Sequence, residues 1–498
     1  MSQAAPTGTA TTAASLFVYG LGRSGLAVVE RARQQGTPVA FFEARADGPD
    51  VAAAVTLGAR RVADLPAWLS ARRAHTAAAL LVVAAPGVRI DHPDLDLFRQ
   101  AGAEVIGEVE WVWRQVPGTY VAITGTAGKG SVTRWCGDTL LAAGHEVEVG
   151  GNIVPALAAV ARPGAVHVVE MSSFQLERCP TFRPDVAVVL NLGEDHIDRH
   201  GSVAAYHQAK KNLLANLGAG STLVLNVDDP VLAGWAAEAE ARQVKVLRFS
   251  LRGPADAHLA QDGHLYLHGQ PLLERSELRV QGDHQVANAL ATALATSASG
   301  ATPEQVRAGL RAFEGLPGRY SYAGSVGAVT FLEDSIATRP LAVAAALQAT
   351  PRPLVWLAGG QAKGANLTDL SPLVADKVDL LITFGHSGPE FARAYAGLTR
   401  VESVAEPTGA ATMRTLVQRA LAYLNGQHGG SGNVLLAPLA TSFDQFADYE
   451  ARGQAFRAAV EAASLAAGAA PQPAGAPGSD PHSSGTPAPK APQEAERA

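Results

Sequence analysis

Residues 120–131 are Tyr120-Val-Ala-Ile-Thr124-Gly125-Thr126-Ala127-Gly128-Lys129-Gly130-Ser131, an apolar run followed by a glycine loop that carries a lysine. The apolar run predicts a buried strand, and the stretch from about 132 to 143 predicts a helix. In such a loop backbone N–H groups wrap an anion, and the lysine ammonium meets its outer phosphates. We therefore predict a nucleotide-binding α/β domain, with a turn that binds no ligand as the alternative.

A second glycine loop, Gly20-Leu21-Gly22-Arg23-Ser24-Gly25, follows the apolar run 16–19 and opens a helix. Its glycines allow the backbone to approach a diphosphate, and Glu43 at the end of the next strand can meet a ribose or a base. Taken alone, this loop predicts a dinucleotide fold, and a tight turn without a ligand is the alternative. The turn 85–88, Ala-Pro-Gly-Val, is predicted at the same edge of the sheet.

Short apolar runs alternate with Ala- and Leu-rich helical stretches along the chain, as in β-α-β units. We predict ten strands, at 16–19, 39–42, 80–84, 120–124, 166–169, 186–190, 222–226, 354–358, 380–384 and 434–437. Breaks near 107–118 and 315–318 divide them into three blocks. The predicted domains are an N-terminal Rossmann-like domain (15–106), a central P-loop-type domain with a parallel sheet (107–315) and a C-terminal Rossmann-like domain (316–466).

The two ends of the chain have little to bury, so we predict a disordered arm at 1–14 and a disordered Pro- and Ala-rich tail at 467–498. No apolar run reaches the ~18 residues that a membrane-spanning helix needs. Two cysteines do not make a disulfide framework. A formal charge of −6 without a basic block disfavours nucleic acid. We expect a cytoplasmic monomer that binds neither nucleic acid nor membranes.

Carboxylates at the ends of the central strands are candidate magnesium ligands, because oxygen ligands suit this ion. Glu170 closes the strand 166–169, and Asn191, Glu194, Asp195 and His196 follow the strand 186–190. A solvated acidic loop is the favoured alternative for Glu194, Asp195, Asp198 and His200.

Three further stretches, 170–177 (EMSSFQLE), 282–290 (GDHQVANAL) and 441–446 (TSFDQF), occur in order with the three turns above. Together the six motifs, from about 16 to 465, closely resemble the Mur ligase family. The resemblance implies that the three domains bind a UDP-sugar, ATP and an amino acid. The activity it implies is an ATP-dependent ligase of peptidoglycan synthesis: ATP converts the terminal carboxylate of UDP-N-acetylmuramoyl-L-alanine to an acyl phosphate, which the amine of D-glutamate attacks. The motif 441–446 favours D-glutamate over L-alanine or meso-diaminopimelate.

The resemblance also assigns residues to each ligand. The UDP-sugar would contact Gly22, Arg23, Ser24, Glu43, Arg45, Gly87 and Asn152. ATP would contact Gly125, Thr126, Gly128, Lys129, Gly130, Ser131, Asn288, Arg319 and Asp334. The amino acid would contact Thr338, Lys363, Ser442 and Phe443. Glu170 and His196 would hold Mg²⁺, helped by a CO₂-derived carbamate on Lys210. Lys129, His196 and Lys210 would carry catalysis, although Lys210 by itself could be a surface lysine.

The chain departs from the family pattern at Ala127, Gly130, Gln285, Ile336 and Arg339. Because Gly130 offers no hydroxyl, we predict that Ser131 contacts the magnesium ion, directly or through water; a helix cap is the alternative. Two rival functions stay open. One is an inactive paralogue that binds UDP-sugar or ATP as a scaffold. The other is a nicotinamide-dependent dehydrogenase, which rests on the first loop and leaves Lys129 unexplained.

Overall fold

The computed structural model describes residues 15–75, 79–280, 282–362 and 367–468. The chain is an α/β protein with three sheets, which confirms the predicted fold class. It divides between Leu316 and Pro317 into two compact units, described separately here. The arm 1–14 and the tail from 469 onward lie outside the described residues, so the two disorder predictions stay predictions. Among the described residues no helix is both long and apolar enough to cross a membrane.

The first sheet of the first unit is wholly parallel. Its strands are β1 Leu16–Tyr19, β2 Val39–Phe42, β3 Arg60–Arg61, β4 Leu81–Ala84 and β5 Glu104–Ile106. Their order is β3-β2-β1-β4-β5. The helices that cover it are α1 Gly22–Gln34, α2 Pro49–Thr56, α3 Leu65–His75, α4 Pro93–Gln100 and α5 Glu108–Trp113. The ring of Phe17 lies 4.9 Å from that of Trp68 and 4.7 Å from that of Phe98, so aromatic packing fills one face.

The second sheet of this unit has nine strands. They are β6 Thr119–Thr124, β7 Val147–Gly151, β8 Val166–Glu170, β9 Val186–Val189, β10 Thr222–Asn226, β11 Lys245–Ser250, β12 Ala257–Leu259, β13 His264–Leu267 and β14 Gln270–Glu274. Their order is β14-β13-β12-β11-β10-β9-β6-β8-β7. In this spatial order the seven neighbouring strands from β7 to β12, which include β6, are parallel. Strands β13 and β14 extend the sheet beyond β12 in antiparallel pairs. The predicted parallel sheet is therefore correct for its core but misses this extension, whose short strands mix apolar and polar residues.

The helices of this part are α6 Lys129–Ala142, α7 Leu157–Val160, α8 Ser173–Leu176, α9 Ile197–His200, α10 Val203–Lys211, α11 Pro230–Ala241, α12 Asp283–Ala298 and α13 Pro303–Ala312. Helix α6 begins three residues before the predicted start at 132. The reason is Gly128, which caps the helix with a φ of +82° and so places Lys129 in its first turn. Most residues of α12 from Gln285 to Thr296 are buried in the core.

The second unit contains a six-stranded sheet. Its strands are β15 Ser321–Val326, β16 Ala328–Glu333, β17 Leu354–Gly359, β18 Leu380–Phe384, β19 Arg400–Val404 and β20 Ser431–Leu436. Their order is β15-β16-β20-β17-β18-β19, with β15 antiparallel to β16. The helices are α14 Pro340–Ala349, α15 Ser371–Lys377, α16 Gly388–Tyr395, α17 Gly409–Gln427 and α18 Tyr449–Ala466. Separate apolar clusters fill the two faces of the sheet, as a covered parallel sheet requires.

Candidate active site

The first glycine loop joins β1 to α1 and depends on backbone that only glycine adopts easily. Gly20 and Gly22 have φ values of +80° and +44°. A Cβ on Gly25 would lie 2.2 Å from the carbonyl oxygen of Gly20, so the loop packs tightly on itself. The backbone N–H of Leu21 donates to Oε2 of Glu43 at 2.9 Å, and that of Arg45 donates to Oε1 at 3.2 Å. Glu43 therefore holds the loop as well as lying beside it.

A cavity of about 650 Å³ opens at the carboxyl ends of β1, β2 and β4. The seven predicted UDP-sugar residues all line it: Gly22, Arg23, Ser24, Glu43, Arg45, Gly87 and Asn152. Sequence reasoning missed other lining side chains, namely Tyr19, Phe42, Arg89, His92 and Gln175. The rings of Tyr19 and Phe42 stack at 5.1 Å, an apolar wall beside the polar loop. A hydrophobic strand end carries no signal that its last ring faces a cavity.

The second glycine loop joins β6 to α6, and it is closely packed at Gly128. A Cβ at this position would lie 2.5 Å from Oδ1 of Asn288, which is buried on α12. The Asn288 amide also donates to Oε1 of the buried Gln285 at 3.2 Å. Asn288, a predicted ATP residue, and Gln285, a departure from the family pattern, thus lie together behind the phosphate loop.

The Asn191 side chain is hydrogen-bonded to the backbone of this loop, a role that the sequence did not reveal. Its Oδ1 accepts from the backbone N–H groups of Thr126 at 3.1 Å and Ala127 at 2.9 Å, and its Nδ2 donates to the carbonyl of Ala127 at 3.2 Å. The hydroxyl of Thr126 in turn accepts from the backbone N–H of Gly193 at 2.9 Å. The chain after β9 therefore fixes the shape of the loop.

Two lysines meet at the carbonyl of Gly125. Lys129 Nζ donates to it at 2.9 Å, and Lys210 Nζ, from α10, donates to it at 2.8 Å. Lys210 is 1% exposed, so the surface-lysine alternative is wrong. Burial, and then the charge of Lys129, lower the pKa of Lys210 to about 7, although the negative charges of Asp195 and Glu170 oppose the shift. Lys210 is thus an amine that is largely neutral just above pH 7.

Glu170 ends β8 and is buried beside the cavity described above. Its Oε1 accepts from the side-chain amide of Asn152 at 2.7 Å, and its carbonyl accepts from the backbone N–H of Asn152 at 2.8 Å. Because Asn152 lines that cavity, a predicted substrate residue and a predicted metal ligand are joined directly.

His196 caps α9 with a φ of +53° and is 38% exposed. Its ring lies 4.8 Å from the ring of Phe174, and its Nε2 lies 3.5 Å from a carboxylate oxygen of Asp195.

Ser131 is the buried third residue of α6. Because Gly128 is the capping residue, the helix-cap alternative for Ser131 loses its basis. The described residues contain no group of three or more His, Cys, Asp or Glu side chains arranged for a metal. The predicted metal set contains only two residues of these types, the Glu170 carboxylate and the His196 imidazole.

The second unit holds the remaining predicted residues. Asp334, which follows β16, is buried, and burial raises the pKa of its carboxyl to about 7. Arg319 lies half-buried on the preceding turn, and its charge opposes that shift. Thr338 is half-buried. Lys363 lies outside the described residues.

Ser442 and Phe443 follow β20 but differ in exposure. Ser442 is 2% exposed, and its carbonyl accepts from the backbone N–H groups of Gln445 and Phe446. Phe443 is 66% exposed. The motif 441–446 therefore forms a turn that buries the serine and presents an aromatic ring.

Comparison with known proteins gives the family. Residues 14–107 match the Mur ligase MurD-like N-terminal domain, and residues 123–296 match the Mur ligase middle domain. The UDP-N-acetylmuramoylalanine–D-glutamate ligase of Thermus thermophilus is 43% identical over 449 residues, which cover 89% of this chain and 96% of that protein. The enzyme of the same name from Deinococcus radiodurans is 41% identical over 454 residues, covering 90% and 92%. The chain belongs to the Mur ligase family.

A solved Mur ligase shares the fold at low identity. The UDP-N-acetylmuramate-alanine ligase of Thermotoga maritima is 17% identical, with a TM-score of 0.54, and the match covers 90% of this chain and 99% of that chain. The three sheets described above are thus the Mur ligase architecture.

Two charged residues of the second unit of this chain were not predicted from the sequence, because a buried charge leaves no local sequence pattern. Arg452, fully buried on α18, donates to the carbonyls of Ala440 at 3.1 Å and Ser335 at 2.7 Å. Glu333 accepts from the backbone N–H groups of Gly318 at 2.9 Å and Ser335 at 3.3 Å and pairs with Arg457. They brace the turns that carry Arg319, Asp334 and Ser442.

Proposed function

We propose that this chain is a UDP-N-acetylmuramoylalanine–D-glutamate ligase. It joins D-glutamate to UDP-N-acetylmuramoyl-L-alanine and releases ADP and phosphate, a step of peptidoglycan precursor synthesis. The observation that carries the proposal is the 43% identity to a ligase of that name over 89% of the chain. The cavity beside one glycine loop and the lysines beside the other supply sites for the sugar nucleotide and ATP.

The chemistry requires two anions to meet. A carboxylate oxygen of the UDP-sugar attacks the γ-phosphorus of ATP, the bond from that phosphorus to ADP breaks, and an acyl phosphate forms. Lys129 would neutralise charge on the transferring phosphoryl group, because positioning and electrostatics carry such reactions. The D-glutamate amine then attacks the carbonyl carbon and expels phosphate. The amine also loses a proton, which leaves an amide.

Roles follow from position. The cavity residues would hold the UDP-sugar, with Asn152 at the edge that also carries Glu170. Gly125, Thr126, Gly128 and Gly130 would surround the phosphates of ATP, and Asn288 would contact its adenine. Arg319 and Asp334 would add contacts to ATP. Thr338, Lys363, Ser442 and Phe443 would receive D-glutamate.

Mg²⁺ suits the donors near the second loop. Glu170 supplies a buried carboxylate, His196 a partly exposed imidazole and Ser131 a buried hydroxyl. Bound magnesium would offset the charge of the phosphates. Glu170, His196 and Ser131 would hold it, and Asn152 would orient Glu170.

We extend the proposal to a carbamate on Lys210. The neutral amine of Lys210 attacks the carbon of CO₂, an N–C bond forms as one C–O π bond breaks, and the nitrogen loses one proton, so that a neutral amine becomes a carbamate anion. Burial and the lowered pKa of Lys210 favour this chemistry. The product would stand near Lys129, where a negative charge is stabilised, and would complete a metal site that otherwise has one carboxylate.

All substrates are small molecules, and we place the protein in the cytoplasm as a monomer, without nucleic-acid partners. The scaffold alternative predicts binding without turnover. The presence of Lys129, Glu170, His196 and Lys210 argues for turnover. The dehydrogenase alternative has no place in the Mur ligase family.

A phosphate-release assay tests the activity. With ATP, Mg²⁺ and UDP-N-acetylmuramoyl-L-alanine present, phosphate release should require D-glutamate. L-Alanine and meso-diaminopimelate are the control amino acids, and activity with either of them but not with D-glutamate would overturn the substrate assignment. ATP and UDP-sugar binding with no turnover for any amino acid would favour the scaffold.

The carbamate has a separate test. Lys210→Ala should lose most activity, and a short added carboxylic acid should restore part of it. Lys211→Ala is the matched control, because Lys211 neighbours Lys210 but pairs with Glu238 at the surface. Wild-type activity that is unchanged by CO₂ depletion, together with an active Lys210→Ala variant, would eliminate the carbamate.

A further inference from the structure

The turn at residues 86–88 lines the cavity and is held mainly by Arg199 of helix α9, with one further hydrogen bond from Arg178 to the carbonyl of Val88. Arg199 donates to three successive carbonyls of this turn, those of Pro86 at 3.0 Å, Gly87 at 2.9 Å and Val88 at 2.7 Å. Its side chain is 13% exposed. Three charge-assisted hydrogen bonds from one guanidinium to one turn fix its position closely.

The same arginine is tied to His196. Helix α9 begins directly after His196, and the backbone N–H of Arg199 donates to the carbonyl of His196 at 3.0 Å. The backbone of Arg199 is therefore hydrogen-bonded directly to that of a predicted metal ligand.

Phe174 fills the space between the two side chains. The Arg199 Cζ atom lies 4.2 Å from the centroid of the Phe174 ring, and the His196 ring lies 4.8 Å from it. Glu177 adds an ion pair at 3.7 Å to Arg199, and its other carboxylate oxygen lies 3.2 Å from Nδ1 of His200. Arg199 thus has a defined partner on every side, from the cavity turn to the segment that follows Glu170.

We propose that Arg199 is a positioning residue that holds the UDP-binding turn and the His196 loop in one register, so that the sugar nucleotide and the metal are aligned for phosphoryl transfer. This inference rests on the proposed function, because it assigns the cavity to UDP and His196 to the metal. A lysine could keep the charge but not the planar fork that reaches three carbonyls.

The test compares Arg199→Lys with Arg242→Lys in the full chain. Arg242 is the matched control, since it also donates to three carbonyls, those of Leu214 at 2.8 Å, Ala215 at 2.8 Å and Leu217 at 2.5 Å, but at a site remote from the cavity. Calorimetry measures UDP binding without turnover. Phosphate release measured against Mg²⁺ concentration reports the metal site, and thermal melting reports stability.

For Arg199→Lys we expect about tenfold weaker UDP binding, equivalent to ~1.4 kcal/mol, and a higher Mg²⁺ concentration for half-maximal rate. Arg242→Lys should lower the melting temperature and leave both readouts at wild-type values. If Arg199→Lys behaves like the control, with only a lower melting temperature, the positioning role is wrong.

Phe174→Leu provides a second route if Arg199→Lys does not fold. It removes the ring between Arg199 and His196 but leaves the three hydrogen bonds to the turn. The Mg²⁺ requirement should then rise while UDP binding changes less than threefold, equivalent to less than ~0.7 kcal/mol. An unchanged Mg²⁺ requirement would overturn the proposed coupling of Arg199 to His196. A wild-type protein that neither binds UDP nor releases phosphate would instead refute the proposed function.

Discussion

The glycine loops at residues 20–25 and 125–131 both follow the first strand of a parallel sheet and open a helix, yet different side chains hold them. A carboxylate, Glu43, accepts from the backbone of the first loop. A neutral amide, Asn191, does so in the second, where Lys129 and Lys210 also meet the carbonyl of Gly125. The first loop has no lysine.

Under the proposed function, this difference in the charge of the anchoring side chain matches the two ligands, the diphosphate of UDP and the triphosphate of ATP. A neutral anchor leaves the lysine charges available for a triphosphate that reacts. A carboxylate anchor is acceptable where a diphosphate is only held, by backbone N–H groups and a helix N-terminus. The same loop geometry thus serves binding in one sheet and chemistry in the other.

Removing the lysine from the reacting loop should have the largest effect. Lys129→Met should reduce kcat by about 10²- to 10³-fold, because charge that develops on the phosphoryl group loses its cation. Arg23→Met in the first loop should instead raise KM for the UDP-sugar and leave kcat nearly unchanged. Steady-state phosphate release measures both, with Arg134→Met as the control on α6, where Arg134 pairs with Asp138 at the surface. Equal losses of kcat at the two loops would break the comparison.

Removal of the Ser131 hydroxyl should have the next largest effect on the rate. Ser131→Ala should lower the rate about 10- to 100-fold, from ~1.5–3 kcal/mol for a contact to a charged group, and should raise the Mg²⁺ requirement. Thr133→Val is the matched control, because it removes a buried hydroxyl from the same helix. A Mg²⁺ dependence that is the same for both variants would take Ser131 out of the metal site.

Exchanging the charge of each anchor sharpens the comparison. Asn191→Asp keeps an acceptor for Thr126 and Ala127 but adds a negative charge beside the phosphates, so ADP should bind about tenfold more weakly, or ~1.4 kcal/mol. Glu43→Gln keeps an acceptor for Leu21 but removes the carboxylate that the proposed function assigns to the UDP-sugar, so UDP should bind more weakly than to the wild type. Calorimetry with the two nucleotides gives both values. Unchanged UDP binding by Glu43→Gln would mean that the carboxylate only holds the loop.

The smallest effect concerns stability. Lys210 has a pKa of about 7 when folded and an ordinary value near 10.5 when unfolded. Between these values the unfolded state binds more protons, so the stability of the wild type should rise with pH relative to Lys210→Met; below pH ~7 the difference is constant. In CO₂-free buffer Lys210→Met should therefore melt a few degrees higher than the wild type at about pH 7, with a smaller gap near pH 9.5. Lys211→Met should show no such trend.

Much of this architecture can be predicted from apolar runs that end in glycine. β1, β2, β10 and β18 lie at the predicted residues, because buried parallel strands are continuous apolar segments. Ten of the twenty strands in the described residues, β13 and β14 among them, were not predicted, since strands that are short or mix polar with apolar residues resemble loops. The start of α6 was misplaced because a left-handed glycine, which sequence alone does not reveal, sets it.

The site divides in the same way. Glycine loops and strand ends indicated the cavity residues and Glu170, because their position follows from topology. Asn191 was named only as a candidate beside the metal, and Arg199 and Arg452 were missed, because all three act through hydrogen bonds to distant carbonyls or N–H groups. A single side chain gives no periodicity and no motif, so only the folded chain brings such partners together.

Asn191 contacts only main-chain atoms of residues 126 and 127. Every amino acid other than proline offers the same N–H and C=O, so this anchor is indifferent to the side chain at position 127. That tolerance accounts for an alanine where the family usually carries asparagine. A substitution at position 127 keeps the hydrogen bonds to Asn191, whereas a substitution at Asn191 alters the shape of the loop. Residue 191 is therefore the better marker of an intact phosphate loop.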